Sequence, residues 1–310
     1  MKLLRPGLPV DPAPAMDPAW DSSDVRPVKE AARIARYRRH QSWYREHVLR
    51  ARPGRFRTYP TLGSYLHEED VARDPSLNFL TAEAEAHAEE RAAQVKKENG
   101  ALDPVRLRRN MLSSMPLCFN LFGSMRGEPA FLTLVQRVFD PTATAITDVV
   151  CEYAPPPRDH LNDRTAFDAV IFYETAAGPR FVGIETKYTE PFSQKKYDTP
   201  RYREVTEASG WFANPASAPD ALKGSTSNQL WRNMMLAASM ELRGEHGTGS
   251  VAVVALADDR GADAAVSVLR EHLSSQDRLV HVSLERIVEA AEGIDDLAEW
   301  AAAFRLRYLP

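Results

Sequence analysis

The stretch TAFDAVIFYETAAGPRFVGIETKYTEPF, residues 165–192, decides the fold of this chain. Two apolar runs flank a turn centred on residues 176–177, and this pattern predicts a β-hairpin. The same two strands carry Asp168, Glu185 and Lys187, although buried positions rarely hold charges that lack a partner. These three charges are therefore the first candidates for a functional site.

Strand geometry predicts that the three charges lie together. Side chains two positions apart share one face of a strand, so Glu185 and Lys187 point to the same side. A turn centred between residues 176 and 177 pairs residues whose numbers sum to 353. This register places Asp168 opposite Glu185, with Cβ atoms about 4.5–5.5 Å apart. A slip of one residue would turn Asp168 to the other face.

Two carboxylates at this distance repel one another unless a cation lies between them. Mg²⁺ takes oxygen ligands, usually one or two carboxylates completed by water and phosphate, so Asp168 and Glu185 predict a site for this ion. Lys187 would then orient or deprotonate a water molecule, or neutralise charge on a phosphate. The alternative is a structural ion pair of Lys187 with either carboxylate, and spacing alone does not separate the two interpretations.

The composition narrows the class of protein. With 310 residues and 44% hydrophobic residues the chain can bury a sizeable core. No apolar run approaches the eighteen or so residues of a membrane helix, and Pro interrupts the N-terminus before a signal-peptide core can form. The two cysteines form no CxxC pair, and the eight histidines lack HxH or HExxH spacing. We therefore expect a cytoplasmic protein without a His/Cys zinc site.

A basic segment precedes the α/β part of the chain. Residues 26–57 contain eleven Lys or Arg against two acidic residues. Aromatic residues are interleaved with these cations, a combination that suits phosphate contact and base stacking. A second interpretation fits equally: in a helix over 28–51 the aromatics form the buried stripe and the arginines the solvated face. The nucleic-acid hypothesis selects Arg36, Arg39 and Arg45.

Hydrophobic periodicity divides the chain into three parts. Residues 1–25 contain five Pro and no periodic pattern, which predicts a disordered leader. Residues 26–104 predict a helical extension with a basic face, and residues 105–310 an α/β domain. Further helices are predicted over 80–98, with Thr81 as N-cap, over 104–122, over 129–139, and over 226–244, where Gly244 closes the helix. A strand near 144–155 precedes the hairpin, and the apolar run SVAVVALAD predicts a strand buried on both faces.

Asp168 is followed by sixteen residues and then by Glu185-Thr186-Lys187. This spacing, in an αβββαβ order of elements, resembles the PD-(D/E)XK nuclease superfamily. Longer phrases resemble a bacterial family of restriction-endonuclease-like proteins over residues 105–310. These phrases are LSSMPLCFNLFG, FDAVIFYE, GIETKYTEPF, NQLWRN and the terminal RYL. The resemblance implies an α/β fold of restriction-endonuclease type, with a mixed sheet flanked by helices.

The resemblance also implies roles for individual residues. Asp168 and Glu185 would bind the metal, with the Thr186 carbonyl as a further ligand and Lys187 as the catalytic lysine. Glu152, at the end of the preceding strand, is the candidate for an additional acid, ahead of Glu128. Gln229 occupies the helix position at which some members carry a functional Gln. The implied ion is Mg²⁺, with Mn²⁺ as a substitute.

The sequence departs from the superfamily pattern at two positions. Phe167 replaces the Pro of the PD motif, which carries no ligand. Asn233 stands four residues after Gln229, where the RecB-like branch has Tyr, and this argues against membership of that branch.

The implied activity is Mg²⁺-dependent endonucleolytic hydrolysis of DNA in restriction or anti-phage defence. The partners that go with it are DNA, a second copy of the chain, or another protein of a defence system. Basic residues in the loop after the third strand would contact phosphates, although a solvated loop explains them equally well: Lys195, Lys196, Arg201 and Arg203. Arg232 in the following helix is a further candidate for phosphate contact. Two alternatives remain open, a nuclease-like scaffold that binds nucleic acid without cutting it, and a structural or interaction protein.

Overall fold

The computed structural model describes residues 1–6, 29–97 and 102–310 of the chain. These residues fall into two units, the first formed by 1–124 with 291–310 and the second by 125–290. Residues 7–25, most of the predicted leader, lie outside the described residues. Within the described part, Leu3 forms a β-bridge with Thr81.

The first unit begins with helices and one small hairpin. Its elements are α1 (Ala32–Trp43), a π-helical turn (Tyr44–Val48), β1 (Pro53–Phe56), β2 (Tyr59–Leu66), α2 (Glu68–Arg73), α3 (Ala82–Lys97), α4 (Pro104–Arg109) and α5 (Ser114–Phe122). Strands β1 and β2 pair antiparallel. The predicted helical extension therefore contains a β-hairpin that its Arg-, Pro- and Gly-containing sequence did not reveal.

Side-chain caps set the helix boundaries in this unit. The Oγ1 atom of Thr81 accepts a hydrogen bond from the backbone N–H of Ala84 at 3.1 Å, so the predicted cap of α3 is confirmed. The single helix predicted over 104–122 is instead two helices. Ser113 caps the second one, because its Oγ accepts from the backbone N–H of Met115 at 3.2 Å.

The division into units differs from the predicted boundary at 104/105, and hydrogen bonds of Asn120 explain why. The side chain of Asn120 in α5 accepts from the N–H of Leu80 at 2.7 Å. Its Nδ2 atom donates to the carbonyl of Asn78 at 2.9 Å and to the hydroxyl of Tyr308 at 2.6 Å. Helix α5 and the C-terminal residues are thereby tied to the segment before α3 rather than to the α/β sheet.

Three aromatic residues of the basic segment are core residues, whereas Phe56 is half-buried. Tyr37, Trp43 and Tyr44 are all buried, as the second interpretation of this segment requires. Arg33 and Arg36 lie against the ring of Tyr37 in cation–π geometry. The stripe of aromatics therefore stabilises the first unit instead of offering exposed stacking surfaces.

The prediction that Arg45 contacts nucleic acid is wrong. Its side chain is only 3% exposed, and Nε donates to the carbonyl of Gly63 at 2.9 Å. Nη1 donates to the carbonyl of Ala51 at 2.6 Å. A guanidinium held in this way by buried carbonyls cannot reach a phosphate. Arg36 is exposed and Arg39 is half-buried, so for these two residues the hypothesis stays a prediction.

The second unit contains the α/β sheet. Its elements are α6 (Ala130–Val138), β3 (Ala143–Tyr153), β4 (Phe167–Thr175), β5 (Gly178–Thr186), α7 (Pro200–Ala208), α8 (Ala218–Leu222), α9 (Asn228–Arg243), β6 (Thr248–Ala255), α10 (Arg260–Arg270), β7 (Leu279–Ser283) and α11 (Leu284–Glu292). The last helix of the chain, α12 (Ala298–Tyr308), belongs to the first unit. None of the helices in the described residues is both long and apolar enough to span a membrane.

The five strands form one mixed sheet in the order β3-β4-β5-β6-β7. The first three strands pair antiparallel, whereas β6 and β7 continue the sheet parallel to β5. This arrangement confirms the predicted restriction-endonuclease-like fold class. Strand β6 is buried on both faces, as its continuous apolar sequence predicts.

The register of the central hairpin is the predicted one. Ala169 pairs with Ile184, and Thr175 pairs with Gly178 next to the turn. Carried one residue further, this register sets Asp168 opposite Glu185. A side chain at Gly183 would collide with Phe167, because a Cβ atom there would lie 2.4 Å from the ring. Glycine at this position therefore lets the Phe167 ring close over the strand two residues before Glu185.

Candidate active site

Asp168 lies at the start of β4 and reaches across to β5. Its Oδ2 atom accepts a hydrogen bond from the backbone N–H of Thr186 at 2.7 Å. The pKa of Asp168 is raised by desolvation first and then by the negative charges of Glu185 and Glu152. The positive charge of Lys187 and the N–H of Thr186 oppose this shift without cancelling it. Burial and the neighbouring carboxylates therefore disfavour the charged form of Asp168.

Glu185 is the most enclosed acid of the site, with 3% of its surface exposed. Its Oε1 atom forms an ion pair with Nζ of Lys187 at 2.6 Å and accepts from Nε2 of Gln229 at 2.5 Å. Its Oε2 atom accepts from Nδ2 of Asn233 at 2.6 Å. Each oxygen of this carboxylate is thus held by a side chain of α9.

Lys187 is 7% exposed and lies at the end of β5, where its backbone N–H donates to Val254 at 2.7 Å. Its Nζ atom also lies 3.3 Å from Oε1 of Gln229 and 4.6 Å from the ring centroid of Phe192. Burial by itself lowers the pKa of Lys187, but the carboxylates of Glu185 and Asp168 outweigh burial and raise it. The raised pKa keeps the amine protonated at neutral pH, so Lys187 carries a positive charge beside the two carboxylates.

Gln229 connects three parts of the site. Its Nε2 atom donates to Glu185, and its Oε1 atom accepts from Lys187 and from the backbone N–H of Ser193 at 2.7 Å. The neighbouring Asn228 is bonded to the backbone of Tyr197. The N-terminal turn of α9 consequently fixes both the charged residues and the segment that follows β5.

Asn233 is the functional residue that the sequence analysis missed. The sequence marked it only as a departure from the RecB-like pattern, whereas the structure places its amide on Glu185. The available signal was its spacing: residues four apart in a helix lie on the same face, so Asn233 accompanies Gln229.

Glu152 lies near Asp168 with an unusual backbone. The pairing of Cys151 with Ala169 and of Tyr153 with Phe167 places it opposite Asp168. Its φ angle is +52°. This left-handed conformation costs free energy for a residue with a side chain of this size. The charge of Glu152 contributes to the raised pKa of Asp168, so the structure brings this predicted acid to the edge of the site.

The donor set fits a hard divalent cation. In residues 1–6, 29–97 and 102–310 no three His, Cys, Asp or Glu side chains are grouped closely enough to form a metal site by themselves. Mg²⁺ does not require such a cage, since it commonly uses one or two carboxylates and completes its shell with water and phosphate. Asp168 and Glu185 meet this requirement, and the raised pKa of Asp168 indicates where a cation would relieve repulsion.

The basic residues of this unit that were predicted to contact phosphate differ in how far their side chains are already engaged by the protein. Lys195 and Lys196 are exposed. Arg201 lies in α7 rather than in the predicted loop; its Nε atom donates to the carbonyl of His160 at 2.7 Å and its Nη1 atom pairs with Glu204 at 3.1 Å. Arg201 is therefore partly committed to its own unit.

Arg232 lies next to Asn233 and close to the start of β4. Its Nη2 atom donates to Oγ1 of Thr165 at 2.8 Å, and its guanidinium stacks on the ring of Tyr197, 4.1 Å from the centroid. A planar cation stacked on a partly exposed aromatic ring suits contact with a nucleotide.

Comparison with known proteins gives one match. A family model described as PD-(D/E)XK nuclease superfamily matches residues 28–310, which extends beyond the 105–310 range of the sequence resemblance. Among curated proteins and among solved structures, none matches the chain.

Proposed function

This chain belongs to the PD-(D/E)XK nuclease superfamily, and we propose that it is a Mg²⁺-dependent endonuclease that hydrolyses phosphodiester bonds of DNA. The observation that carries the proposal is the burial of the Glu185–Lys187 ion pair beside Asp168, whose pKa is raised by desolvation and then by the charges of Glu185 and Glu152. Perturbed carboxyls next to a protonated lysine are typical of catalytic sites.

Asp168 and Glu185 are the proposed metal ligands, with the carbonyl of Thr186 completing the protein donors. When bound, Mg²⁺ supplies Lewis-acid stabilisation for the charge that develops on the phosphate. Mn²⁺ accepts the same oxygen ligands. Glu152 is proposed as an additional acid at the edge of the site.

Lys187 supplies a fixed positive charge. Because its pKa is raised, its ammonium group can donate a hydrogen bond to a phosphoryl oxygen as negative charge accumulates there. Gln229 keeps the ammonium group beside Glu185, and the ring of Phe192 covers its other side. Lys187 therefore needs no rearrangement of the backbone to reach a phosphate that approaches the two carboxylates.

The nucleic acid would be held by basic residues outside the catalytic cluster. Lys195 and Lys196 offer exposed charge, and Arg232 with Tyr197 offers a stacked pair. Arg36, Arg39 and Arg201 remain further candidates. The proposal sets the protein in the cytoplasm, in restriction or anti-phage defence, together with a second copy of the chain or a partner protein.

The experiment incubates the purified protein with methylated and unmethylated supercoiled plasmid, single-stranded DNA and RNA. Each substrate is tested with Mg²⁺, with Mn²⁺ and with EDTA. We expect nicking or cutting of DNA that requires the metal and is absent in Asp168→Ala. Cleavage that persists in EDTA would refute the metal requirement.

A second candidate is a binding module on the same scaffold. One observation favours it: the carboxylate of Glu185 is already bonded to Lys187, Gln229 and Asn233, as in a structural ion pair. This candidate predicts nucleic-acid binding with no cleavage under any metal condition, so the same substrate panel separates the two functions.

A further inference from the structure

The two oxygens of Glu185 have different partners. Among the described residues, Oε1 receives two donors, the ammonium of Lys187 and the amide of Gln229. Oε2 receives one donor, the amide of Asn233. A carboxylate oxygen can accept two such contacts, so Oε1 is saturated and Oε2 retains one free acceptor position.

We propose that Asn233 is a positioning residue that holds Glu185 by one side of Oε2 and leaves the other side of this oxygen for the metal ion. The inference rests on the proposed function, because it concerns the cation of that site. It assigns the metal to Oε2, and it assigns Oε1 to Lys187 and Gln229.

The geometry of α9 determines how Gln229 and Asn233 hold the carboxylate of Glu185. Gln229 and Asn233 lie one turn apart on α9, so their amides approach the carboxylate from one side and fix its plane. Asn233 is 2% exposed, and its carboxylate partner is buried as well. Both groups are shielded from bulk water, so loss of this hydrogen bond is costly and the orientation of Glu185 depends on it.

The chemistry of residue 233 explains why an amide is suitable. An amide donates a hydrogen bond to Glu185 without adding charge. Asp at this position would bring a further carboxylate to Oε2, whereas Leu would leave Oε2 without a donor in a buried site. Asp is isosteric with Asn, and Leu has the same number of side-chain heavy atoms in the same branched arrangement. The variants Asn233→Asp and Asn233→Leu therefore separate these two effects.

The first measurement uses the metal-free protein and needs no activity. Urea unfolding in EDTA is followed from pH 5 to pH 8.5 for the wild type and both variants. In Asn233→Asp the new carboxyl beside Glu185 has a raised pKa in the folded state, so stability is retained at low pH and lost as the pH rises. Asn233→Leu adds no titratable group, so its loss of stability should depend less on pH than that of Asn233→Asp. Equal pH dependence in the two variants overturns the contact between residue 233 and Glu185.

The second measurement is calorimetric titration with Mn²⁺ and Mg²⁺. Removing a hydrogen bond that orients a metal ligand lowers metal affinity by about 10- to 100-fold, and we expect Asn233→Leu to fall in this range. Asn233→His, which keeps an N–H donor, should recover part of the loss. The matched control is Ser239→Ala, which removes a buried hydrogen bond of the same helix to His160 and should bind metal like the wild type.

The outcomes distinguish the two proposals. Full metal affinity in Asn233→Leu overturns the positioning role while leaving the proposed nuclease intact. A wild type that neither binds metal nor cleaves nucleic acid overturns the proposed function, and with it the assignment of Oε2 to a metal. In that case the pH dependence of Asn233→Asp still decides whether residue 233 controls the carboxylate.

Discussion

Replacement of Asp168 by Asn should stabilise the metal-free protein at pH 8 while removing a proposed metal ligand. The carboxylate of Asp168 is partly desolvated and faces Glu185 and Glu152, and both effects raise its pKa. Asn is isosteric, carries no charge and can still accept the hydrogen bond from the N–H of Thr186. The substitution therefore removes repulsion and keeps the local geometry.

The magnitude follows from the register. The Cβ atoms of opposed strand residues lie about 5 Å apart. If the charges of Asp168 and Glu185 have the same separation, they repel one another by about 3 kcal/mol at an effective dielectric constant of about 20. Attraction to Lys187 offsets much of this repulsion. The offset is incomplete, because the pKa of Asp168 remains raised, so we expect Asp168→Asn to stabilise the metal-free protein by less than the full repulsion.

The pH dependence identifies the cause of the gain. A carboxyl with a raised pKa in the folded state costs no stability while it is protonated in both states, at low pH. The cost appears as the pH rises from the ordinary pKa of Asp to the raised pKa of Asp168. The advantage of Asp168→Asn should therefore be small at pH 4, grow with pH and level off.

The assay is urea unfolding in EDTA from pH 4 to pH 8, monitored by circular dichroism. The control is Asp148→Asn, which removes an exposed carboxylate on β3 and should change stability by no more than about 0.5 kcal/mol. Saturating Mg²⁺ should then stabilise the wild type, by about 2.7 kcal/mol at a hundredfold excess over Kd, and leave Asp168→Asn unchanged. A variant that is less stable at pH 8, or a gain that does not vary with pH, would refute the reasoning.

Three further predictions concern Glu152 and the basic residues. Glu152→Gly should raise the thermal unfolding temperature, because glycine tolerates the φ angle of +52° and relieves about 1 kcal/mol of strain. The control Glu174→Gly on β4 should lower the unfolding temperature. Equal losses in the two variants would contradict the presence of strain at Glu152. Arg45→Ala should cost about 2 kcal/mol or more in urea unfolding, since two buried carbonyls lose a charged donor, yet the folded variant should bind DNA with unchanged affinity. The double change of Lys195 and Lys196 to Ala should leave stability unchanged and reduce the slope of log affinity against log salt by about 2; an unchanged slope would exclude these lysines from the interface.

The sequence predicts the hairpin well because local rules control it. A turn at residues 176–177 and alternating apolar positions fix the register, and the register alone sets Asp168 opposite Glu185. The buried parallel strand β6 and the left-handed Gly244 at the end of α9 follow from equally local patterns.

The remaining features depend on packing between distant segments. The contact of Asn233 with Glu185 arises only after α9 packs on β5, and no spacing in the sequence reports the distance between them. Arg45 illustrates the same limit for charge, since a basic segment does not show which guanidinium turns inward to carbonyls. The β1–β2 hairpin escaped prediction because β1 has only four residues and both strands contain Pro and Gly, which weaken the strand pattern.

The account depends most on the claim that Lys187 acts with Asp168 and Glu185 in one hydrolytic site. Its most direct test is the single-turnover rate of Mg²⁺-dependent plasmid nicking by Lys187→Met, compared with the wild type at equal folded concentration. We predict a loss of about 100-fold or more, as expected when a charged group that stabilises the transition state is removed. A Lys187→Met protein that nicks within a few-fold of the wild-type rate would contradict the account.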